Sequence, residues 1–91
     1  MRAVEVVIHG RVQGVGFRWS ASRVACDLGL SGWVQNASDG TVEARLVGSN
    51  SAVEKMLAWC QESPPSSHVT SVDQQEADPA SAHELREFEI R

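Results

Sequence analysis

Val4-Glu5-Val6-Val7-Ile8-His9-Gly10-Arg11-Val12-Gln13-Gly14-Val15-Gly16-Phe17-Arg18 changes its period partway along. Val4, Val6 and Ile8 alternate with Glu5, Val7 and His9, the period of two by which a strand turns an apolar face to a core. Gly10, Gly14 and Gly16 then interrupt regular structure. From Phe17 onward, Phe17, Ala21, Val24 and Leu28 recur at spacings of four, three and four, which predicts an amphipathic helix. Gly29 is expected to end it, since glycine closes a helix in the left-handed conformation without steric cost. The same stretch has a chemical reading. Glycines let successive N–H groups turn inward, and a helix start adds unpaired N–H groups and the positive end of its dipole. Arg18, in the first turn, places a guanidinium where two parallel hydrogen bonds to phosphate oxygens are natural. The stretch reads as an anion site. It is not a nucleotide loop of the familiar kinds: no Gly-Lys-Ser/Thr closes it, and Trp19 stands where the third glycine of a dinucleotide fingerprint would be.

Further along, Ser31 to Asn36 and Thr41 to Val47 are strand-like runs joined by Ala37-Ser38-Asp39-Gly40, and Asp-Gly between β-prone runs predicts a hairpin with Val42, Ala44 and Leu46 toward the core. Ser51 with Glu54 three residues later predicts a capped helix start, and Val53, Leu57 and Cys60 its apolar stripe, ended by Pro64 and Pro65. His68 to Gln74 reads as a strand, Ala77 to Ala82 as a polar loop and Leu85 to Ile90 as a terminal strand. The order is that of an α+β, ferredoxin-like βαββαβ sandwich: a mostly antiparallel sheet with two helices on one face and a short C-terminal strand.

The 91 residues suit one domain spanning 1–91. With 42% hydrophobic and 22% charged residues and no long apolar run, no membrane insertion is expected. The first ten residues alternate instead of forming a signal peptide, so a cytoplasmic location is the expectation. A net charge of -4 argues against nucleic acid as a partner, while one placed arginine still permits a small anion. Cys26 and Cys60 are too few and too far apart for a zinc site; they are expected to be free thiols, Cys60 on the apolar stripe and Cys26 opposite its own.

Gly10-Arg11-Val12-Gln13-Gly14-Val15-Gly16-Phe17-Arg18 resembles the first signature of the acylphosphatase family. Gly32-Trp33-Val34-Gln35-Asn36, with Gly40, Val42 and Gly48 following, is similar to the second. The resemblance covers nearly the whole chain, including a Pro-containing segment like Pro64 to Val69 and a terminal strand like Phe88 to Arg91. The sequence departs from the family pattern at Ser63 and Ser67, where relatives usually carry Gly and Ala, which bears only on the local loop. By motif position, the resemblance implies that Arg18 and Asn36 are the catalytic pair. It also implies that the phosphate cradle is the backbone of Arg11, Val12, Gln13, Gly14, Val15, Gly16, Phe17 and Arg18. The implied reaction is hydrolysis of a small acyl phosphate to a carboxylate and inorganic phosphate, with no metal or other cofactor; for a chain of this size and charge a monomer is the simple expectation.

Such a sparse site suits that chemistry, because a carboxylate leaves without a general acid. The protein has only to stabilise charge on the phosphoryl oxygens and aim a water in line. Arg18 and the loop N–H groups suit the first task. The Asn36 carbonyl suits the second, accepting a hydrogen bond from the water while a non-bridging phosphate oxygen takes the proton. His9 is read as a half-exposed structural residue and Trp19 as a partly buried anchor of the helix start, with a wall on the acyl side as its other reading. Glu5, Arg23, Asp27 and Lys55 are read as solvated surface. Two rivals remain. One is a phosphate- or carbamoyl-phosphate-binding module of the kind found within larger hydrogenase-maturation proteins. The other is an RNA-binding domain, disfavoured because Glu5, Val7, His9, Glu43, Arg45 and Val47 would face away from the helices.

Overall fold

The computed structural model describes residues 1–62, 67–78 and 87–91. β1 (Arg2–Arg11) buries Val4, Val6 and Ile8 and is paired on both edges, antiparallel to β3 (Val42–Gly48) on one side and to β4 (His68–Ala77) on the other. β2 (Ser31–Asn36) runs antiparallel to β3 and parallel to β5 (Phe88–Ile90), giving the order β4-β1-β3-β2-β5. α1 (Phe17–Asp27) lies against β2 and β5, and α2 (Asn50–Gln61) against β1, β3 and β4. Val4, Val6, Ile8, Val34, Val42, Ala44, Leu46 and Phe88 from the sheet meet Phe17, Ala21, Ala25, Val53, Met56, Leu57 and Cys60 from the helices in one core. This is the ferredoxin-like α+β sandwich. Truncating a fully buried member such as Leu46 to alanine removes contacts worth about 2–5 kcal/mol.

Several boundaries differ from expectation, each for a packing reason. In α1 the deepest line is Phe17, Ala21 and Ala25, with Val24 and Leu28 only half-buried, because small alanines let the helix sit close to the sheet. The stop at Gly29 is a two-bond closure: Gly29 N–H donates to Cys26 O (3.0 Å) and Leu30 N–H to Ala25 O (2.9 Å). α2 begins at Asn50, and its cap is Ser49, whose Oγ accepts from Ala52 N–H at 3.1 Å. The Ser51 to Glu54 box does not form. Starting earlier buries Ala52 and Val53 and brings Asn50 and Glu54 to the Arg2 guanidinium. The helix ends at Gln61; Ser63, Pro64 and Pro65 lie outside the described residues.

β3 begins at Val42, not Thr41. Thr41 stays in the turn because Asp39 Oδ1 accepts both its N–H (3.0 Å) and its hydroxyl (2.6 Å). β4 runs on to Ala77, past the Gln74 where its pattern fades, because β1 continues to offer hydrogen-bonding partners up to Ala3. A bulge opposite His9 and Gly10 inserts Thr70, which puts Val69 and Val72 on the core side at a spacing of three. β5 is three residues, Phe88–Ile90; Leu85 and most of the loop expected over Ala77 to Ala82 lie outside the described residues.

On the sheet face away from the helices, polar and charged side chains pair across strands. Glu5 accepts from Arg45 (2.8 Å), Glu43 from Gln35 (3.0 Å), and His9 meets Asp73 at 2.9 Å. Ala3, Val47 and Ala77 form a small apolar patch there. No described helix is long and apolar enough to cross a membrane.

Candidate active site

β1 ends at Arg11 and α1 begins at Phe17, so Val12 to Gly16 make the crossing. Both ends of this loop are pinned in the core. Val12 is buried, and the buried Phe17 ring packs on Trp59 with centroids 5.4 Å apart. Between them Gly14 and Gly16 take φ of 74° and 79°, left-handed values that would cost a residue with a Cβ about 1–2 kcal/mol. This backbone turns successive N–H groups toward one side. Gly16 is also the N-cap of α1 and has no side chain to cap it. The first helical bond recorded at this end is Ser20 N–H to Gly16 O (3.0 Å), and no acidic residue lies in the first turn. The N–H groups of Phe17, Arg18 and Trp19 therefore lack helical acceptors, and the positive end of the dipole is not neutralised.

A cavity of about 160 Å³ opens at this point, lined among the described residues by Val12, Gly14, Gly16, Phe17, Arg18, Trp19 and Ile90. Of the expected cradle, Arg11, Gln13 and Val15 do not line it: Arg11 ends β1 exposed, and Val15 packs on the core. Arg18 is half-buried, and its Nη1 donates to the main-chain oxygen of Arg91 at 2.8 Å. Arg91 N–H in turn donates to Val34 O (2.8 Å), so the guanidinium is two hydrogen bonds away from β2.

Asn36 is the last residue of β2 and is exposed. It is not among the residues lining the cavity, and its side chain makes no hydrogen bond among the described residues. It is therefore not spent on nearby backbone, the usual structural use of an asparagine at a strand end. What ties it to the loop is the side chain of Gln13. Gln13 Nε2 donates to Ala37 O (2.7 Å), next to Asn36, and to Thr41 O (2.9 Å), across the turn. Ala37 N–H also donates to Thr41 O (2.9 Å), and Thr41 holds the Asp39 carboxyl below its usual range through its hydroxyl and amide. The loop that leads into Arg18 and the hairpin carrying Asn36 are thus locked by one amide.

The sequence reading assigned Gln13 only a backbone role and did not anticipate Arg91 or Ile90. Gln13 bonds to residues 24 and 28 positions away, a partnership without a local signal. Trp19 is not a buried anchor: it is 59% exposed and faces the cavity, while Phe17 does the anchoring. Arg23 is not simply solvated, since its guanidinium lies 5.0 Å from the Trp19 ring centroid. His9 is the half-exposed partner of Asp73. Cys26 is exposed and free, and Cys60 is free and buried, its thiol pushed up to about 12 by desolvation. Among the described residues, no three His, Cys, Asp or Glu side chains gather as a metal site.

Comparison with known proteins bears on the whole of this arrangement. The acylphosphatase family model matches residues 4–90. An acylphosphatase from Methylococcus capsulatus is 46% identical over 99% of this chain and 96% of its own length. One from Thermococcus kodakarensis is 54% identical over 72% of each chain. The crystal structure of acylphosphatase from Bacillus subtilis superposes with a TM-score of 0.92 at 33% identity, covering 100% of this chain and 99% of that one. With sequence and fold in agreement from β1 to β5, the chain belongs to the acylphosphatase family.

Proposed function

We propose that Arg18, Asn36 and the main chain of residues 11–18 are the working parts with which this acylphosphatase hydrolyses the carboxyl–phosphate bond of a small acyl phosphate. The observation that carries the reading is the joining of an uncapped helix start, the Arg18 guanidinium and the Asn36 hairpin through the Arg91 and Gln13 hydrogen bonds. The phosphoryl group sits over the loop N–H groups with Arg18 on its non-bridging oxygens, so that charge developing there meets donors already in place. The bridging oxygen departs with the carboxylate, whose low proton affinity makes a general acid unnecessary. Water attacks phosphorus from the opposite side, its hydrogen accepted by the Asn36 carbonyl, and its proton passes to a non-bridging phosphate oxygen. Nothing in this sequence of events needs a metal ion. The unit at work is one domain over residues 1–91, acting as a monomer in the cytoplasm.

The test is hydrolysis of benzoyl phosphate and acetyl phosphate by the purified chain in the presence of a chelator. Arg18→Ala should lose at least about 10²–10³ in turnover, the usual scale for removing a donor aimed at transition-state charge. Asn36→Ala should lose about 10² in kcat with little change in KM, because it places water instead of holding phosphate. Circular dichroism should be unchanged in both variants. Full activity in either variant removes that residue from the mechanism, and phosphate binding without turnover by the wild type would instead favour a binding module.

A further inference from the structure

Acidic side chains avoid one stretch of this chain. Val6 to Cys26 carries none of the 12 Asp and Glu residues, yet it holds Arg11, Arg18 and Arg23 out of eight Lys and Arg. That stretch supplies the second half of β1, the glycine crossing and α1 up to its last residue. Every carboxylate that brings the molecule to -4 therefore lies on other elements or at the far end of this one.

Pairing follows the same division. Arg2 meets Glu54 and Glu76, Arg45 meets Glu5, and Arg91 meets Glu89. Among the described residues, Arg11, Arg18 and Arg23 meet no carboxylate, and neither does Lys55 on α2. Arg18 lines the cavity and is held by the Arg91 main chain. Arg11 and Arg23 do not line it, and both are exposed. They stand immediately behind its wall: Arg11 precedes Val12, and the Arg23 guanidinium lies 5.0 Å from the Trp19 ring centroid. Two charges with no neutralising partner thus flank the site, one from the β1 side and one from α1.

Screening decides which charges an arriving anion feels. The molecule measures 32 × 24 × 19 Å. The Debye length at physiological ionic strength is about 8 Å. Glu54 and Glu76 are gathered by Arg2 at the opposite end of β1 from Arg11, roughly 30 Å away at the usual rise of a strand. Their repulsion is damped before it reaches the loop, whereas the nearby arginines act at close range.

We propose that Arg11 and Arg23 are steering residues, which give a negative molecule a positive approach and draw small phosphate anions to the loop whatever group the phosphate carries. The inference rests on the hydrolytic reading above for its substrate, and on the division of charge for its mechanism. Neither side chain has to form a directed contact with the bound group, so lysine should serve in place of arginine. A bidentate role of the kind given to Arg18 would not survive that exchange.

The experiment follows kcat/KM for benzoyl phosphate between about 0.05 and 0.5 M ionic strength, a range over which the Debye length shrinks from roughly 14 to 4 Å. Binding of inorganic phosphate is measured by calorimetry under the same conditions. The proteins are the wild type, R11Q, R23Q, R11Q/R23Q, R11K/R23K and K55Q, the last removing one positive charge from the other helix. The wild-type kcat/KM should fall as salt rises. R11Q/R23Q should lie about tenfold below it at low salt, the lower end of the range for steered association, and should converge with it at high salt. Each single Gln variant should lose about threefold at low salt, half of the double effect on a logarithmic scale. R11K/R23K should recover the wild-type salt curve, and K55Q should keep it. Wild-type behaviour in R11Q/R23Q overturns the proposal. So does an equal loss in K55Q, which would make net charge the cause, or a loss in R11K/R23K, which would make either arginine a directed contact. If the wild type hydrolyses nothing, phosphate affinity decides: salt-sensitive binding weakened in R11Q/R23Q keeps the steering and sinks the catalytic assignment, and binding indifferent to both sinks the steering too.

Discussion

Gln13 illustrates how much one amide determines. Its two donated hydrogen bonds end on the carbonyls of Ala37 and Thr41, which close the turn after Asn36. A glutamate is nearly the same shape but offers no donor to those carbonyls. Gln13→Ala and Gln13→Glu should therefore both cost about 1–3 kcal/mol in urea denaturation, from the loss of two part-buried hydrogen bonds that tie the loop to the hairpin. Both should also lower kcat more than they raise KM, because Gln13 is a positioning residue acting on Asn36. A loss of stability with kcat intact would reduce it to a structural tie. Trp19 teaches a different lesson at the same scale. Its position off the apolar stripe was legible in the sequence, whereas its exposure at the cavity follows from β5 arriving beside α1, which no local pattern records.

At the scale of elements, the alternation in β1, the glycine-bounded crossing and the hairpin run from Ser31 to Val47 were readable because each is decided locally, by period and by turn residues. Where two local signals competed, the core chose. Ser51 with Glu54 is the better capping motif on paper, yet Ser49 caps α2, since that start delivers Ala52, Val53 and Met56 to the sheet. Ser49→Ala should accordingly lower the melting free energy by about 1 kcal/mol, the usual loss with an N-cap hydroxyl. Ser51→Ala should be near neutral by thermal denaturation, and a reversed order would restore the box. The edge strand β4 was read short because an exposed strand needs no apolar alternation; its length is set by its neighbour. Likewise, two motifs marked Arg18 and Asn36 as a pair, but their connection through Gln13 and Arg91 exists only in three dimensions.

Across the molecule, charge ties distant parts together and makes stability depend on acidity. Glu76 sits below its usual carboxyl range because Arg2 donates to it, and Asp39 sits low because of Thr41. Arg2, which also reaches Glu54, is raised in turn. A carboxyl depressed in the folded state contributes its full share above its unfolded value, about 4, and loses it as pH falls through the lower folded value. Urea midpoints should thus hold from pH 7 to about 5 and then decline toward pH 3. Glu76→Gln should flatten that decline. An equally steep decline in the variant would place the acid sensitivity elsewhere.

The Arg18 to Arg91 hydrogen bond spans 73 positions of sequence. During folding this makes the site a late event. The glycine crossing and α1 are local, but the guanidinium has no fixed direction until β5 has paired alongside β2, a closure between parts of the chain far apart in sequence. In refolding, recovered turnover should therefore lag behind the recovery of helix followed by circular dichroism.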